Sequence, residues 1–286
     1  MTQKFISEDA VNRRKQWINE ICQISGRFSD DAARVHDELA SDIARDGLAT
    51  LLDHLRLCGA MPESFGQNSS EEKLYSKYTD SLLALSFDFI GIRSLVLTER
   101  ADAADVESFA QDYSFVSDAK VFRLSRTAKN AKDFKVNSMD GWRRDKPYAL
   151  LVCPINQLPA KNSQIYEQAT SRDVLILSYS HIATLLRFGS EKGNSCAESS
   201  LKSVFEIVNT LNTSKDSVAY WTAINRQFLV ADACLSQLWT EEKMAGVEAL
   251  RAQKEIAMSF LALERERIAR MPHAEAIKAL LKSSGI

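Results

Sequence analysis

The chain has 286 residues, of which 45% are hydrophobic and 26% are charged. This balance is ordinary for a soluble globular protein with one large domain or two small ones. The net charge of −2 and the pI of about 6.2, taken alone, argue against binding to polyanions.

The cysteines and the apolar segments of the chain indicate the cellular compartment in which the protein is expected. The five cysteines are widely spread, odd in number and without a CxxC pair, which indicates reduced thiols rather than a disulfide framework or a zinc site. The first 17 residues contain no apolar stretch of signal-peptide length. No window approaches the ~20 apolar residues of a membrane span. We therefore expect a cytoplasmic protein without membrane association.

Helices are predicted for the first 65 residues. Ser7-Glu8-Asp9 is typical of a helix start, and the glycine at position 26 ends that helix. Two further helices are predicted, one that begins at 29–31 and one over 48–57. After a loop at 62–68, Ser69 to Glu72 is a capping sequence before another helix.

Strand and helix patterns alternate in the middle of the chain. The predicted strands are 105–110, 113–122, 148–153 and 174–178. The predicted helices are 163–169 and 181–188. A hairpin followed by alternating helices and strands predicts an α/β fold with a mixed β-sheet and helices packed on its faces.

The last third of the chain is predicted to be helical. The helical segments are 199–211, 216–238, 240–270 and 275–282. The polar stretch at 190–195 is predicted to be a linker. We expect a single domain over 1–286 that comprises N-terminal helices (1–65), an α/β core (66–190) and a C-terminal helical region (195–286).

An acidic residue, a hairpin and an acid-x-Lys sequence form the most informative pattern. Asp118 and Lys120 are two residues apart on a predicted strand, so their side chains lie on the same face. Asp105 lies at the start of the preceding strand. Two carboxylates can place a Mg²⁺ ion, and a lysine beside them can position or help to deprotonate an attacking water.

This spacing is that of the PD-(D/E)xK nuclease motif but does not establish it. Ala104 stands where the motif has proline, and an Asp–Lys surface pair on an edge strand is the commoner source of such spacing. The residues that compete with Asp105 for the upstream role are Asp102, Glu107 and Asp112. Lysine or arginine then recurs at every third position from Lys120 to Lys135, and this basic ribbon favours phosphodiester cleavage on nucleic acid.

Residues 118–136, DAKVFRLSRTAKNAKDFKV, resemble the HindIII family of type II restriction endonucleases almost residue for residue. A run of such mixed polar character has no general structural reason to recur. Looser resemblance is found at 70–77, 100–106, 142–149, 161–166, 177–181 and 275–282. The middle of the chain, about 65–190, is covered best. The resemblance implies a PD-(D/E)xK nuclease core, with 66–190 as the catalytic part and helical segments at both ends.

The resemblance also implies roles for individual residues. Asp105 and Asp118 would be the carboxylates that hold Mg²⁺, and Lys120 would be the catalytic lysine. Glu72 matches an acidic position of the family and would complete the catalytic site. A residue of the first helical turn, favoured there by the helix dipole, explains Glu72 equally well.

DNA contacts are implied by the same segment. Residues 126–130 match the major-groove segment of the family, where Asn130 has the chemistry for a bidentate contact with adenine and the Ala128 methyl could contact a base. Asp133 could accept from a base amino group or orient a neighbour. The basic residues expected mainly to hold phosphates are Arg123, Arg126, Lys129, Lys132 and Lys135. Because this segment is so similar, we expect the target to resemble the palindrome AAGCTT.

These implications predict a Mg²⁺-dependent endonuclease that makes double-strand breaks at a short palindrome in double-stranded DNA. A palindrome read by one kind of chain implies a homodimer with one active site per strand. A cognate DNA methyltransferase is expected in the same cell, though not as a bound subunit. The alternatives are a related nuclease of other specificity or role and an inactive DNA-binding or scaffold protein. Elsewhere, His181 is predicted to be a helix-start residue, and Phe134 and Trp142 are predicted to anchor the basic segment.

Overall fold

Three long helices occupy the N-terminal part of a computed structural model that describes residues 4–97, 103–126 and 130–283. They are α1 (Glu8–Ile21), α2 (Phe28–Leu57) and α3 (Ser70–Phe89). Ser7 and Ser69 begin α1 and α3 as predicted, since each hydroxyl accepts a hydrogen bond from a backbone N–H of the first turn. The predicted division of 29–57 into two helices is confirmed, because the range of α2 is interrupted at Gly47. The φ of 69° and ψ of −149° at this residue are not helical, and glycine adopts a positive φ readily.

The strands form two sheets within the described part of the chain. They are β1 (Ala60–Met61), β2 (Arg93–Val96), β3 (Val106–Phe109), β4 (Ser114–Ala119), β5 (Phe122–Arg123), β6 (Tyr148–Cys153) and β7 (Val174–Ser178). The larger sheet has the order β2-β3-β4-β6-β7, antiparallel from β2 to β4 and parallel from β4 to β7. The strands β1 and β5 pair separately in parallel. The predicted mixed sheet is confirmed.

Helices follow the strands and close the fold. They are α4 (Ala131–Phe134), α5 (Val136–Trp142), α6 (Gln164–Ser171), α7 (Tyr179–Lys192), α8 (Asn194–Val208), α9 (Ser217–Val230), α10 (Ala233–Ala269) and α11 (His273–Ser283). The predicted linker at 190–195 is wrong, because Gly193 alone separates α7 from α8, with a φ of 101°. The predicted helix 216–238 is in fact two helices, and Asp232 begins the second by accepting from the Cys234 N–H at 2.9 Å.

The core lies at the two central parallel strands. Every residue of β7, and every residue of β6 after Tyr148, is buried. Because successive side chains point to opposite faces, both faces of these strands are covered, which explains their continuous apolar sequences. Within the described residues, none of the helices combines the length and the apolar character needed to cross a bilayer.

Candidate active site

Three carboxylates converge in the large sheet where β3 begins and β4 ends. Val106 pairs with Ser117 in the antiparallel register of β3 and β4, so Asp105 and Asp118 are opposite each other just beyond that pair. The backbone of Asp105 is held by the Leu97 N–H, which donates to its carbonyl at 2.8 Å. Helix α3 contacts β3 and β4 and brings a third carboxylate, that of Asp80. One oxygen from each of the three lies within 4.8 Å of the others.

Two lysines lie beside these carboxylates. The Lys120 ammonium lies 2.5 Å from Asp118 Oδ2. Its backbone N–H donates to the Val152 carbonyl at 2.7 Å, which continues the pairing of β4 with β6 by one residue and keeps the Lys120 side chain on the face of Asp118. On the other side, the Lys77 ammonium lies 2.5 Å from Asp105 Oδ1 and 3.5 Å from Asp80 Oδ2.

Burial controls the charge of the carboxylates. Asp80 and Asp118 are only 2% and 1% exposed. Burial raises the pKa of Asp80 well above its usual range, and repulsion from Asp105 raises it further, while Lys77 lowers it. Burial also raises the pKa of Asp118, against the opposing attraction of Lys120. Additional positive charge between these groups would therefore be favourable, and the hard oxygen donors fit a divalent cation such as Mg²⁺ or Mn²⁺.

The lysines, in contrast, are held in their charged form. Burial disfavours the charge of Lys120, but attraction and a hydrogen bond from Asp118 outweigh burial and raise its pKa. For Lys77, attraction from Asp80 and Asp105 likewise outweighs burial and raises the pKa. Both side chains are thus ammonium ions at neutral pH. Such a group can donate hydrogen bonds and position an oxygen, but it cannot accept a proton.

Glu72 lies away from this group. Its carboxylate accepts from the Asn68 N–H at 2.6 Å and pairs with Arg123 at 3.4 Å, while its own N–H donates to the Ser69 hydroxyl at 3.2 Å. These contacts are those of a residue that stabilises a helix start. Asp80 is eight residues further along α3, or about 12 Å along the helix axis. Of these two acidic residues of α3, Asp80 is the one that reaches the carboxylate group.

Asp80 and Lys77 are site residues that sequence reasoning missed. The available signal was the aspartate at position 80 between the apolar residues of α3, since a charged group on a buried helix face needs a partner. It is also eight residues from Glu72, which places it about 80° away around the helix axis. The sequence could not show that this face packs against the ends of β3 and β4.

The segment after β4 differs in shape from the predicted basic ribbon. After Lys120, β5 pairs with β1 and a turn at 124–125 leads to the short helices α4 and α5. The buried side-chain amide of Gln157 makes two hydrogen bonds to β5. It accepts from the Phe122 N–H at 3.0 Å and donates to the Phe122 carbonyl at 2.8 Å. Phe134 is fully buried against the Phe122 ring, as predicted for an anchor. Of the predicted DNA contacts, Ala128 and Lys129 lie outside the described residues.

The remaining candidate DNA contacts divide into side chains that are engaged within the fold and side chains that face solvent. Arg123 donates to the Phe65 carbonyl at 2.9 Å in addition to its ion pair with Glu72, so its charge is engaged within the fold. Asp133 pairs with Arg126 at 2.7 Å and accepts from the Asn130 N–H at 2.8 Å. This carboxylate therefore orients its neighbours.

The side chains that face solvent form the second group. Asn130 and Lys132 are exposed. Lys135, also exposed, lies 5.4 Å from the centre of the Trp142 ring. Burial raises the pKa of Asp118, and the charge of Lys135 is close enough to oppose this rise. The basic segment thus begins at the carboxylate group and also folds back towards it.

His181 has a structural role, as predicted. It lies in the first turn of α7, is fully buried and has hydrogen bonds to Ser178 Oγ at 2.8 Å and to Asn225 Oδ1 at 3.0 Å. Burial lowers its pKa to about 4. Among the described residues, the group that could hold a metal ion consists of Asp80, Asp105 and Asp118 and does not include His181.

Comparison with known proteins identifies the family. The sequence model of the HindIII restriction endonuclease family matches residues 15–286. The chain belongs to this family. A curated relative, the type II restriction enzyme HindIII of Haemophilus influenzae, is 42% identical over 146 residues. That alignment covers 50% of this chain and 49% of the relative, so the two are matched over about half of their lengths.

Membership of the HindIII family confirms the resemblance and extends it. The family match reaches into both helical ends, well beyond the 65–190 region in which the resemblance was expected to be strongest. The mixed five-stranded sheet flanked by helices is consistent with a PD-(D/E)xK nuclease fold. The carboxylate group and Lys120 lie together where β3 begins and β4 ends.

Proposed function

We propose that this protein is a type II restriction endonuclease that makes metal-dependent double-strand breaks in DNA at a short palindrome. The observation that carries the proposal is the convergence of Asp80, Asp105 and Asp118 beside Lys120 in a member of the HindIII family. In the proposed organisation, residues 1–286 act as one nuclease domain, with catalysis in 66–190.

Asp80, Asp105 and Asp118 are the residues that would hold the cation, which we propose to be Mg²⁺. A divalent cation in such a site lowers the pKa of a bound water and neutralises charge on the phosphate. The chain supplies the rest. Lys77 pairs with Asp105 and Asp80, and Lys120 lies beside Asp118. From that position Lys120 would donate a hydrogen bond to an oxygen at the reacting phosphate.

The proposed substrate is double-stranded DNA, and the proposed target is AAGCTT. The near identity of 126–130 to the reading segment of the family supports this target, with Asn130 and Ala128 as base contacts. Exposed Lys132 and Lys135 suit phosphate contacts. The curated relative is named a type II restriction enzyme, which supports the same class of activity.

A homodimer would present one active site to each strand of a palindrome. We propose this assembly, a cytoplasmic location and a cognate DNA methyltransferase in the same cell that protects the host sites. The methyltransferase would not be a bound subunit.

Digestion of a fully sequenced plasmid tests the proposal. With Mg²⁺, the wild type should yield discrete fragments with ends that map to AAGCTT. EDTA and Lys120→Ala should each abolish them, whereas Lys215→Ala, outside the site, should not. Discrete fragments with other ends would support the nuclease activity but contradict AAGCTT as its target. A folded protein that binds DNA but cuts under no divalent metal would contradict the enzymatic proposal and favour the inactive DNA-binding alternative.

A further inference from the structure

A carboxylate from the loop before α3 holds the residue that precedes the proposed reading segment. The carboxylate is that of Glu63, and both of its oxygens serve one residue, Ser125. Oε1 accepts from the Ser125 N–H at 2.9 Å, and Oε2 accepts from the Ser125 hydroxyl at 2.7 Å. The two hydrogen bonds fix both the backbone and the side chain of Ser125. The proposed reading segment, 126–130, begins at the next residue.

The same loop holds β5, which leads into Ser125. β1 directly precedes the loop and pairs in parallel with β5. The Arg123 guanidinium donates to the Phe65 carbonyl at 2.9 Å and to the Gly66 carbonyl at 3.2 Å. Residues 122–125 are therefore held from one side by residues 60–66, through backbone pairing, through Arg123 and through the carboxylate of the loop.

The loop is anchored in the core. Glu63 lies between Met61 and Phe65, which are both buried. The Phe65 ring packs edge-on against the Tyr75 ring, with 5.9 Å between the ring centres. The Tyr75 hydroxyl in turn donates to the Cys58 carbonyl at 2.7 Å. Because buried, close-packed side chains leave little room for movement, Glu63 holds Ser125 from a fixed support.

A second carboxylate closes the other end of the segment. Asp133 accepts from the Asn130 N–H at 2.8 Å and pairs with Arg126 at 2.7 Å. It belongs to the basic segment itself, whereas Glu63 belongs to a part of the fold that is remote in sequence. Asp133 thus stabilises the shape of the segment, and Glu63 helps to set where the segment lies relative to the rest of the protein.

The use of a carboxylate at this position is informative, because its charge would repel DNA phosphates. A glutamine would avoid the repulsion but has one acceptor oxygen. The N–H and the hydroxyl of Ser125 each take a separate oxygen of Glu63. A group that weakens binding to all DNA while it fixes the geometry of one segment favours specificity over affinity.

We propose that Glu63 is a positioning residue for sequence recognition, which holds Ser125 so that the segment 126–130 meets the bases in one orientation. The inference rests on the proposed function, since it requires a DNA-reading segment at 126–130. A segment that is free to shift must be ordered on the correct site and can adapt to an incorrect base pair. Loss of the contact should therefore reduce discrimination between the two.

Two substitutions of Glu63 separate position from charge. Glu63→Asp keeps the charge but is shorter by one methylene, and Glu63→Gln keeps the length but loses one acceptor oxygen. Single-turnover cleavage is measured on the site that the wild type is found to cut and on DNA with one base pair changed. The ratio of the two rates should fall by about 10-fold in both variants, as expected for loss of one such hydrogen bond. Glu255→Gln, an exposed substitution on α10, should leave the ratio unchanged.

Ser125→Ala tests the same contact from the other side without a change of charge. It should lower the ratio as well, and Glu63→Asp combined with Ser125→Ala should lower it by less than the product of the two single effects. The Tm of each variant should stay within about 3 °C of the wild type, because the contact lies at the surface. A purely structural role would lower the Tm and slow cleavage of both DNAs alike.

Unchanged discrimination in both Glu63 variants, or effects of Glu63→Asp and Ser125→Ala that multiply, would overturn the positioning role. So would a loss of discrimination in Glu63→Gln alone, since the charge and not the contact would then be responsible. A wild type that cuts no DNA would overturn the proposed function and this role together. A wild type that cuts at a defined site, with variants that discriminate equally well, would overturn the role of Glu63 and leave the function standing.

Discussion

The residues of the proposed active site include three carboxylates that the two neighbouring lysines only partly balance. Asp80 and Asp118 are buried next to Asp105, and the two lysines supply only part of the compensating charge. Asp80 is the extreme case, because burial and Asp105 both raise its pKa. Added positive charge is therefore favourable at this site, and Asp80 is one of the carboxylates that would gain from it.

Asp80→Asn should separate metal binding from folding. The neutral amide removes repulsion from Asp105 and Asp118, so the Tm without metal should fall by no more than a few degrees. Stabilisation by Mg²⁺ should largely disappear, and cleavage should fall by at least about 100-fold, since even residues that only support metal ligands are worth 10–100-fold. Thermal unfolding with and without Mg²⁺, together with plasmid cleavage, measures both effects.

Glu71→Gln provides the control for Asp80→Asn. It lies on the same helix, outside the carboxylate group, and should retain both metal-induced stabilisation and cleavage. If Asp80→Asn bound and used metal as the wild type does, Asp80 would have to be removed from the proposed metal site.

His181 predicts a pH dependence of stability. Its pKa falls from 6.5 to about 4 on folding because burial disfavours the imidazolium. Below pH 6.5 the unfolded chain binds a proton that the folded chain does not, so stability present above pH 6.5 is lost as the pH falls towards 4. The loss is of order 3 kcal/mol from this residue. Urea unfolding of the wild type and of His181→Gln between pH 7 and 4 should show a smaller loss in the variant. Parallel curves would contradict this assignment.

Among the structural elements, β5 at the start of the basic segment is held by a side chain as well as by its pairing with β1. Gln157 is 2% exposed and hydrogen-bonds both the N–H and the carbonyl of Phe122, as a neighbouring strand would. Phe122 in turn packs on Phe134 of α4. The orientation of the proposed reading segment relative to Asp118 therefore depends on a residue that follows a different strand.

Gln157→Leu should loosen that segment. Loss of the two hydrogen bonds to Phe122 should cost about 1–3 kcal/mol of folding free energy. Cleavage at sites that differ from the cognate site by one base pair should rise relative to cleavage at the cognate site. Rates on the two DNAs and urea unfolding measure these effects. Gln164→Leu, an exposed substitution on α6, should change neither. Unchanged discrimination in Gln157→Leu would show that β5 does not position the reading segment.

The sequence predicts an element well when one local pattern is enough to determine it. β6 and β7 have the predicted bounds, because a continuous apolar run between turns is typical of a strand buried on both faces. β2 was missed, since its four residues give too short an alternation to stand out. Asp105, Asp118 and Lys120 lie close together in the sequence, so their spacing together with the family resemblance suggested them. Asp80 and Lys77 could not be predicted in this way, because only tertiary packing brings α3 to β3 and β4.

At the scale of the whole molecule, charge is segregated. The net charge is −2, yet the stretch 120–146 carries nine basic residues against three acidic ones. Several of the basic residues are engaged within the fold, as Arg123 and Arg126 are by Glu72 and Asp133. DNA binding should therefore depend on a small set of exposed groups rather than on the charge of the whole surface.

Lys132 and Asn130 should show this dependence differently. In a Lys120→Ala background that prevents cutting, Lys132→Ala should weaken cognate and non-cognate DNA about equally. It should also reduce the slope of log K against log[salt] by about 2 per dimer, one phosphate contact for each copy. Asn130→Ala should leave the slope unchanged and cost about 1–3 kcal/mol on cognate DNA only. Fluorescence anisotropy across a salt series measures both quantities. An Asn130→Ala variant that loses affinity equally for all DNAs would make Asn130 a backbone contact and remove the support that it gives to AAGCTT.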